Sequence, residues 1–226
     1  MARATMVVAL LVLLAGPATK FGLLPWQAGL GIFALAALLA GIGGLFSVVS
    51  LLRRRGGLVT AIAAAAGIAA FAVLMTTVVA ARAVPPINDI TTDPANPPAF
   101  VTITTATRGA DAAPLSYDPG FAAQQTAAYP EVRPLIVESP PAEVFPTMLA
   151  AAKAMGWEIV SSDPAAGRIE ATATVPWWGF KDDIVVVMSP NGGGTRVDVR
   201  SKSRVGKSDL GVNAERIQDY LGRIGG

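Results

Sequence analysis

Three long apolar stretches that precede the first acidic residue constrain the fold of this chain more than any other feature. Residues 6–24, 27–52 and 57–81 are almost entirely apolar, and residues 1–82 contain no Asp or Glu. Spanning a bilayer takes about 20 predominantly apolar residues in a helix. We therefore predict a membrane region over residues 1–82 with three transmembrane helices, at about 6–24, 27–52 and 57–81.

The first of these stretches also has features of a signal peptide. Residues 6–16 have the length of a signal-peptide apolar region, with Arg3 as its charged flank. The sequence around residues 15–18 is a poor cleavage site, and residues 21–24 continue the apolar stretch, which favours an uncleaved helix. Cleavage remains the alternative, and it would leave the rest of the chain on the same side of the membrane.

Basic residues predict the orientation of the membrane region. Arg53, Arg54 and Arg55 lie between the second and third stretches, and clusters of this kind stay in the cytoplasm. Arg3 then falls on the same side, and everything after Arg82 lies on the other. We therefore predict a multi-pass membrane protein with an extracytoplasmic C-terminal domain.

Small residues in the second and third stretches predict close contact between helices. Gly41, Gly43 and Gly44 lie in the second stretch, and alanines flank Gly67 in the third. Such residues let helix backbones approach each other in a membrane. We expect a compact bundle within one chain, with dimerisation through the same residues as the alternative.

Composition excludes several classes of function. The chain has no Cys and no His, which rules out disulfides, thiolate zinc sites and a Ser-His-Asp triad. All 16 acidic residues follow residue 82, so the C-terminal part is acidic, and we expect no nucleic acid partner. We predict no catalytic residues, no metal and no cofactor.

Residues 83–99 are predicted to be a Pro-rich tether between the membrane and the domain. This segment contains Pro85, Pro86, Pro94, Pro97 and Pro98, and proline at this density favours an extended, irregular backbone. Its Asp and Thr side chains are expected to form turns and caps.

Residues 100–226 are predicted to form a small soluble domain of the α+β class. A short strand is expected at 100–105, a loop at 106–129, an extended segment at 132–138, and a helix that Ser139 caps and Gly156 ends. Strand-like segments separated by turn signals follow, at 157–161, 168–174, 183–188 and 195–203. Residues 208–224 form a final helix. The expected order is strand, helix, four antiparallel strands and a C-terminal helix that covers the sheet.

The last predicted strand carries basic residues on one side. Arg200 and Arg204 alternate with apolar or small residues, so a solvated sheet face is the simplest interpretation. The alternative is an anion site in which Arg200, Arg204 and Lys207 meet a phosphate or carboxylate. Asp209 would either contribute to that site or pair with Arg204 and lock the strand to the last helix.

Trp177 and Trp178 form an aromatic cluster at a predicted turn. Core packing at the end of the sheet, an anchor at the membrane interface and the lip of an apolar pocket are all compatible with this pair. We include both tryptophans among the candidate ligand-binding residues.

Three strings in the C-terminal part resemble a known family. They are PPINDITTDPANPPAF, WWGFKDD and RSKSRVGKSDLGVNAERI, and they resemble the bacterial, membrane-anchored family called domain of unknown function 1499. The resemblance runs from about Pro85 to the C-terminus. It implies a location in the bacterial inner membrane, and it implies no activity.

Three hypotheses of function follow from these residues. The first is an envelope protein whose extracytoplasmic domain binds an apolar or anionic ligand such as lipid; its element order is analogous to lipid-transfer domains of the helix-grip type. The second is a structural or assembly partner of other envelope proteins. The third is an enzyme with an uncharacterised arrangement of Asp, Arg and Ser.

Overall fold

The computed structural model describes residues 1–225 and divides into two compact units. The first unit comprises Met1–Ala83 and Val175–Gly179, and the second comprises Val84–Thr174 and Phe180–Gly226. The three apolar helices thus belong to the first unit and the sheet belongs to the second.

The first unit contains three long helices, as predicted. They are α1 (Ala2–Lys20), α2 (Trp26–Leu52) and α3 (Leu58–Ala83), and each is long and apolar enough to cross a membrane. Pro17 lies inside α1 without ending it. Residues 21–24, which we expected to extend the first helix, lie in the turn before α2 instead.

Glycines bring the three helices into contact within the chain. A Cβ on Gly67 would collide with the carbonyl oxygen of Ala40 and would lie 2.8 Å from Cα of Gly44. A Cβ on Gly43 would similarly collide with the side chain of Thr5. The small residues are therefore used to pack α2 against α3 and α1, which is the arrangement expected for a bundle within one chain.

The second unit is built on a six-stranded antiparallel sheet. Its strands are β1 (Asp89–Thr91), β2 (Leu135–Val137), β3 (Glu158–Asp163), β4 (Arg168–Thr174), β5 (Lys181–Asn191) and β6 (Gly194–Ser203). The strand order is β1–β6–β5–β4–β3, and β2 also pairs with β6. Its helices are α4 (Thr105–Arg108), α5 (Phe121–Ala128), α6 (Pro141–Ala154) and α7 (Val212–Gly225). This architecture confirms the predicted α+β class.

The hydrophobic core lies between one face of the sheet and helices α6 and α7. Val197 and Val199 of β6 are fully buried in it, and Trp157 stacks on Tyr220 of α7 with ring centroids 4.8 Å apart. The Tyr220 hydroxyl donates to the carbonyl of Met148 in α6 at 3.0 Å. The C-terminal helix covers the sheet as predicted.

Residues 84–99 are part of the second unit and Ala83 ends α3, so the prediction of a tether over residues 83–99 is wrong. Ile87 and Ile90 are fully buried in the core, and β1 pairs with β6. The outer edge of β1 is also occupied, because the side-chain amide of Gln125 donates to the carbonyl of Thr91 and accepts from its N–H. Two isolated isoleucines among prolines produce too short a pattern to reveal a strand in the sequence.

Two further boundaries differ from the prediction. The residues expected to form a loop, 106–129, include most of α4 and all of α5. Helix α6 begins at Pro141 with Pro140, not Ser139, as its N-cap, and Pro146 lies inside it. Proline-rich helix starts are hard to assign from sequence because several positions tolerate proline.

Candidate functional site

The basic residues of β6 lie in a buried layer of charge on the face of the sheet away from the hydrophobic core. Arg200 is 3% exposed, and its guanidinium donates to both carboxylate oxygens of Asp89 at 2.8 Å. Lys202 donates to the same carboxylate at 2.7 Å. Strand pairing sets these contacts, because Asp89 of β1 lies opposite Lys202. Two cations therefore share one carboxylate.

Asp183 of β5 holds a second pair of cations. Arg204 donates to both of its carboxylate oxygens, at 3.0 and 2.8 Å, and Nε of Arg108 donates to one of them at 2.6 Å. The hydroxyl of Thr172, on the neighbouring strand, donates to the other oxygen at 2.9 Å. The carboxylate has no solvent exposure, so protein groups replace its hydration entirely.

Glu170 of β4 holds the segment that covers this layer. Its carboxylate accepts hydrogen bonds from the backbone N–H groups of Val101, Thr102 and Ile103, at 2.7, 3.0 and 2.7 Å. Charge-assisted bonds of this kind are stronger than neutral ones. The strand predicted at 100–105 is therefore wrong, because its amides bind a side chain and not a neighbouring strand.

Aromatic rings from the covering segment enclose Arg200. The guanidinium carbon lies 5.3 Å from the ring centroid of Phe100 and 5.5 Å from that of Tyr117. The carbonyl of Leu115 accepts from the guanidinium at 2.7 Å. Burial raises the pKa of Tyr117 to about 12, and the negative charge of Asp89 adds to the rise.

These residues are called the charge layer below. It consists of Asp89, Arg108, Glu170, Asp183, Arg200, Lys202 and Arg204. The prediction of a solvated sheet face is wrong, because residues 98–117 cover that face and supply backbone partners to it. Period-two alternation shows which side chains share a face, but it contains no information about a distant segment that covers them.

The candidate anion site is not assembled as the sequence suggested. Arg200 and Arg204 are bonded to different carboxylates of the chain, and Lys207 lies beside a separate cleft that Lys202 and Asp118 also line. Burial lowers the pKa of Lys202, while Asp89 opposes that shift. The cleft thus combines lysine and aspartate side chains rather than converging arginines.

Asp209 caps the last helix instead of pairing with Arg204. Its carboxylate oxygens accept from the N–H groups of Gly211 and Asn213, both at 2.9 Å. Burial raises the pKa of Asp209, although these two amides lower it in part. The alternative of an Arg204–Asp209 lock is wrong, because Arg204 pairs with Asp183.

A second polar cluster joins α7 to the other face of the sheet. Asn213 is fully buried, accepts from the hydroxyl of Ser201 at 2.6 Å and donates to the hydroxyl of Ser203 at 3.0 Å. Arg216 pairs with Asp182 at 2.7 Å. The adjacent carboxylates of Asp182 and Asp183 therefore serve opposite faces of the sheet, as a strand requires.

The three strings singled out in the sequence meet in these two clusters. The first string supplies Asp89, the second supplies Asp182 and Asp183, and the third supplies the remaining strand and helix residues. Arg108 and Glu170 lie outside all three strings, and nothing in their sequence surroundings marks them. The polar residues of the strings hold the sheet, its cover and α7 together.

Trp177 and Trp178 lie in the first unit. The residues Val175–Gly179 belong to that unit, and Trp178 contacts Phe33 of α2 edge to face, with ring centroids 5.6 Å apart. Trp177 lies against Gly16 of α1, where a Cβ would collide with the indole. Lys20 donates to the carbonyl of Pro176 at 2.9 Å. Packing in the core of the sheet is thus not the role of this pair.

Both tryptophans line an apolar groove between α1 and α3. The groove has a volume of about 600 Å³. Its walls include Met6, Leu10 and Leu13 of α1 and Ala66, Ala69 and Val73 of α3, with Phe33, Trp177 and Trp178 at the end nearest Gly16. Its size and its apolar lining are those of a ligand pocket.

Comparison with known proteins identifies the family. The model of the family described as "Protein of unknown function (DUF1499)" matches residues 89–224, which is more than half of the chain. The chain belongs to this family. The match contains β1, the whole sheet and nearly all of α7, so the charge layer is part of the family domain. A search of curated proteins finds no match.

Two solved structures show partial similarity to the chain. The crystal structure of Ara h 8.0201 is 13% identical, with a TM-score of 0.23, and the match covers 41% of this chain and 94% of that one. The crystal structure of TTHA0849 from Thermus thermophilus is 14% identical, with a TM-score of 0.22, and the match covers 40% of this chain and 84% of that one. Neither similarity bears on function.

Proposed function

We propose that this member of the DUF1499 family is a membrane-anchored protein that holds a lipid by its acyl chain. The observation that supports the proposal is the apolar groove of about 600 Å³ between α1 and α3, with Trp177 and Trp178 at one end. The charge layer is fully paired within the chain, so it supports a structural role.

Packing against the groove, rather than the hydrophobic effect, would favour a bound acyl chain. Lipid tails are as apolar as leucine, so a groove within a bilayer gains nothing from excluding water. What distinguishes a bound chain from bulk lipid is dispersion contact with fixed walls. The aromatic rings of Phe33 and Trp178 provide such a wall, because they are packed against each other.

The location and orientation are part of the proposal. The helices cross the bacterial inner membrane, Arg53–Arg55 face the cytoplasm, and the second unit lies outside the cytoplasm. The chain has no cysteine, so labelling of a single introduced cysteine shows on which side of the membrane that residue lies. Gln218→Cys on α7 should react with a membrane-impermeant maleimide in spheroplasts, whereas Gly57→Cys should react only after lysis. Labelling of Gly57→Cys in intact spheroplasts would contradict this orientation.

Retention of lipid tests the groove directly. Ala69 lines the groove and Ala72, three residues further on α3, is exposed and does not line it. Ala69→Phe should fill the groove and reduce by severalfold the fraction of protein that carries a lipid after detergent washing. Ala72→Phe makes the same change about 4.5 Å further along the helix and should leave that fraction unchanged. Native mass spectrometry measures both fractions.

Two outcomes would contradict the proposal. One is a parent protein that carries no lipid after extraction. The other is an equal loss of lipid in Ala69→Phe and Ala72→Phe, which would show that the lipid binds elsewhere on the helices.

A further inference from the structure

Arg3 lies at a depth in the bundle where a charged side chain has to reach the interface or meet an opposite charge. Thr5 packs on Gly43, and Gly67 packs on the adjacent Gly44, so Thr5 and Gly67 lie at about the same height. Helix α3 begins at Leu58, about 13 Å below Gly67 at 1.5 Å per residue. Arg3, two residues below Thr5, is therefore about 10 Å inside the start of α3.

This depth is within the hydrocarbon of a bilayer. Helix α3 has 26 residues and is about 39 Å long, which exceeds the hydrocarbon thickness by about 9 Å. If α3 projects equally from both sides, the backbone of Arg3 is about 6 Å below the hydrocarbon surface. A charge at such a depth is costly unless it reaches the interface or meets an opposite charge.

On α1, the lining of the groove begins one turn after Arg3. Arg3 lies one turn before Met6 and two turns before Leu10 on the same side of α1, and both of those residues line the groove. Ala66 of α3, at the height of Arg3, lines it as well. The position of Arg3 on α1 is thus toward the end of the groove opposite Trp177 and Trp178.

The first unit contains no group that could neutralise Arg3. Residues 1–83 and 175–179 include no Asp or Glu, and among residues 1–225 the structure gives Arg3 no ion pair. Lys20, the cation near the tryptophans, already donates to the carbonyl of Pro176. A negative charge that pairs with Arg3 within this unit would therefore have to come from another molecule in the membrane.

We propose that Arg3 binds the phosphate of a phospholipid whose headgroup has a net negative charge and whose acyl chain occupies the groove. This inference rests on the proposed function and adds the class of lipid. A guanidinium forms two parallel hydrogen bonds to phosphate oxygens. An anionic headgroup is favoured over a zwitterionic one because its net negative charge neutralises the guanidinium, whereas the ammonium group of a zwitterionic headgroup repels it.

Competition between two lipids tests the inference. The full chain is placed in nanodiscs that contain equal amounts of phosphatidylglycerol and phosphatidylcholine with identical acyl chains, and the retained lipid is identified by native mass spectrometry. The parent should retain phosphatidylglycerol in about fivefold excess, the effect of one basic residue near an anionic headgroup. Arg3→Gln should reduce the ratio to about one, and Arg3→Lys should keep most of it.

Arg53→Gln is the matched control, because it removes the same charge on the same side but outside the groove. The ratio should change little in this variant. An equal loss in Arg53→Gln, no change in Arg3→Gln, or no preference in the parent would each overturn the inference. Retention of lipid without headgroup preference leaves the proposed function standing, whereas absence of any retained lipid contradicts both.

Discussion

Replacing Asp183 with alanine is expected to destabilise the second unit by about 3–5 kcal/mol, because it leaves two buried cations without their counterion. Arg108 is nearly inaccessible and Arg204 is only partly exposed, so water cannot replace the lost carboxylate. Thr172 would also lose the acceptor of its hydroxyl. Pulse proteolysis of the full chain in increasing urea measures the free energy of unfolding of the sheet domain.

Asp219→Ala provides the control for this measurement. Asp219 is an exposed residue of α7, and the same substitution there should change the stability little. A stability of Asp183→Ala close to that of Asp219→Ala would show that the charge layer is open to solvent or that its arginines find other partners.

Replacing Gly67 with leucine is expected to separate α2 from α3. A side chain at this position collides with the backbone oxygen of Ala40 and with the backbone of Gly44, and backbone atoms cannot move aside as a flexible side chain can. Overpacking of this kind typically costs about 1–3 kcal/mol, and a clash with backbone is at the upper end of that range or beyond it. The thermal transition of the helices, followed by circular dichroism in detergent, should shift to lower temperature.

Gly31→Leu distinguishes a clash from a general effect of leucine. Gly31 lies in α2, whereas Gly67 lies in α3, and a Cβ on Gly31 meets no atom within 4 Å. Glycine is roughly 0.8–1.0 kcal/mol less favourable in a helix than alanine, and leucine ranks close to alanine, so Gly31→Leu should be neutral or stabilising. If both variants lost stability equally, close packing at Gly67 would not be the cause.

Burial of the charge layer costs free energy of desolvation. Burying ions removes their hydration, and good geometry only offsets that loss. The layer is therefore weak evidence for high stability. Asp89 is shared by Arg200 and Lys202, and Glu170 accepts hydrogen bonds from three consecutive amides. These contacts instead favour one position of the covering segment over others.

The sequence alone determined the features that depend on local pattern. Apolar stretches of about 20 residues or more predict the long helices, and alternation with turn signals predicts β3 to β6, because both patterns repeat over many residues. The helix at the C-terminus follows from its single apolar side. The family, too, is recognisable from three short strings.

Only the tertiary structure decided what the charged and aromatic residues contact. Asp89 meets Arg200 across 111 residues of sequence, and Glu170 meets Val101 across 69. Trp177 packs against Gly16, which precedes it by most of the chain. Periodicity reports the direction of a side chain from its own strand or helix, whereas its partner depends on which distant segment covers it. For that physical reason Arg200, which was expected in solvent, is buried, and Ile87 and Ile90, which were expected in a tether, lie in the core.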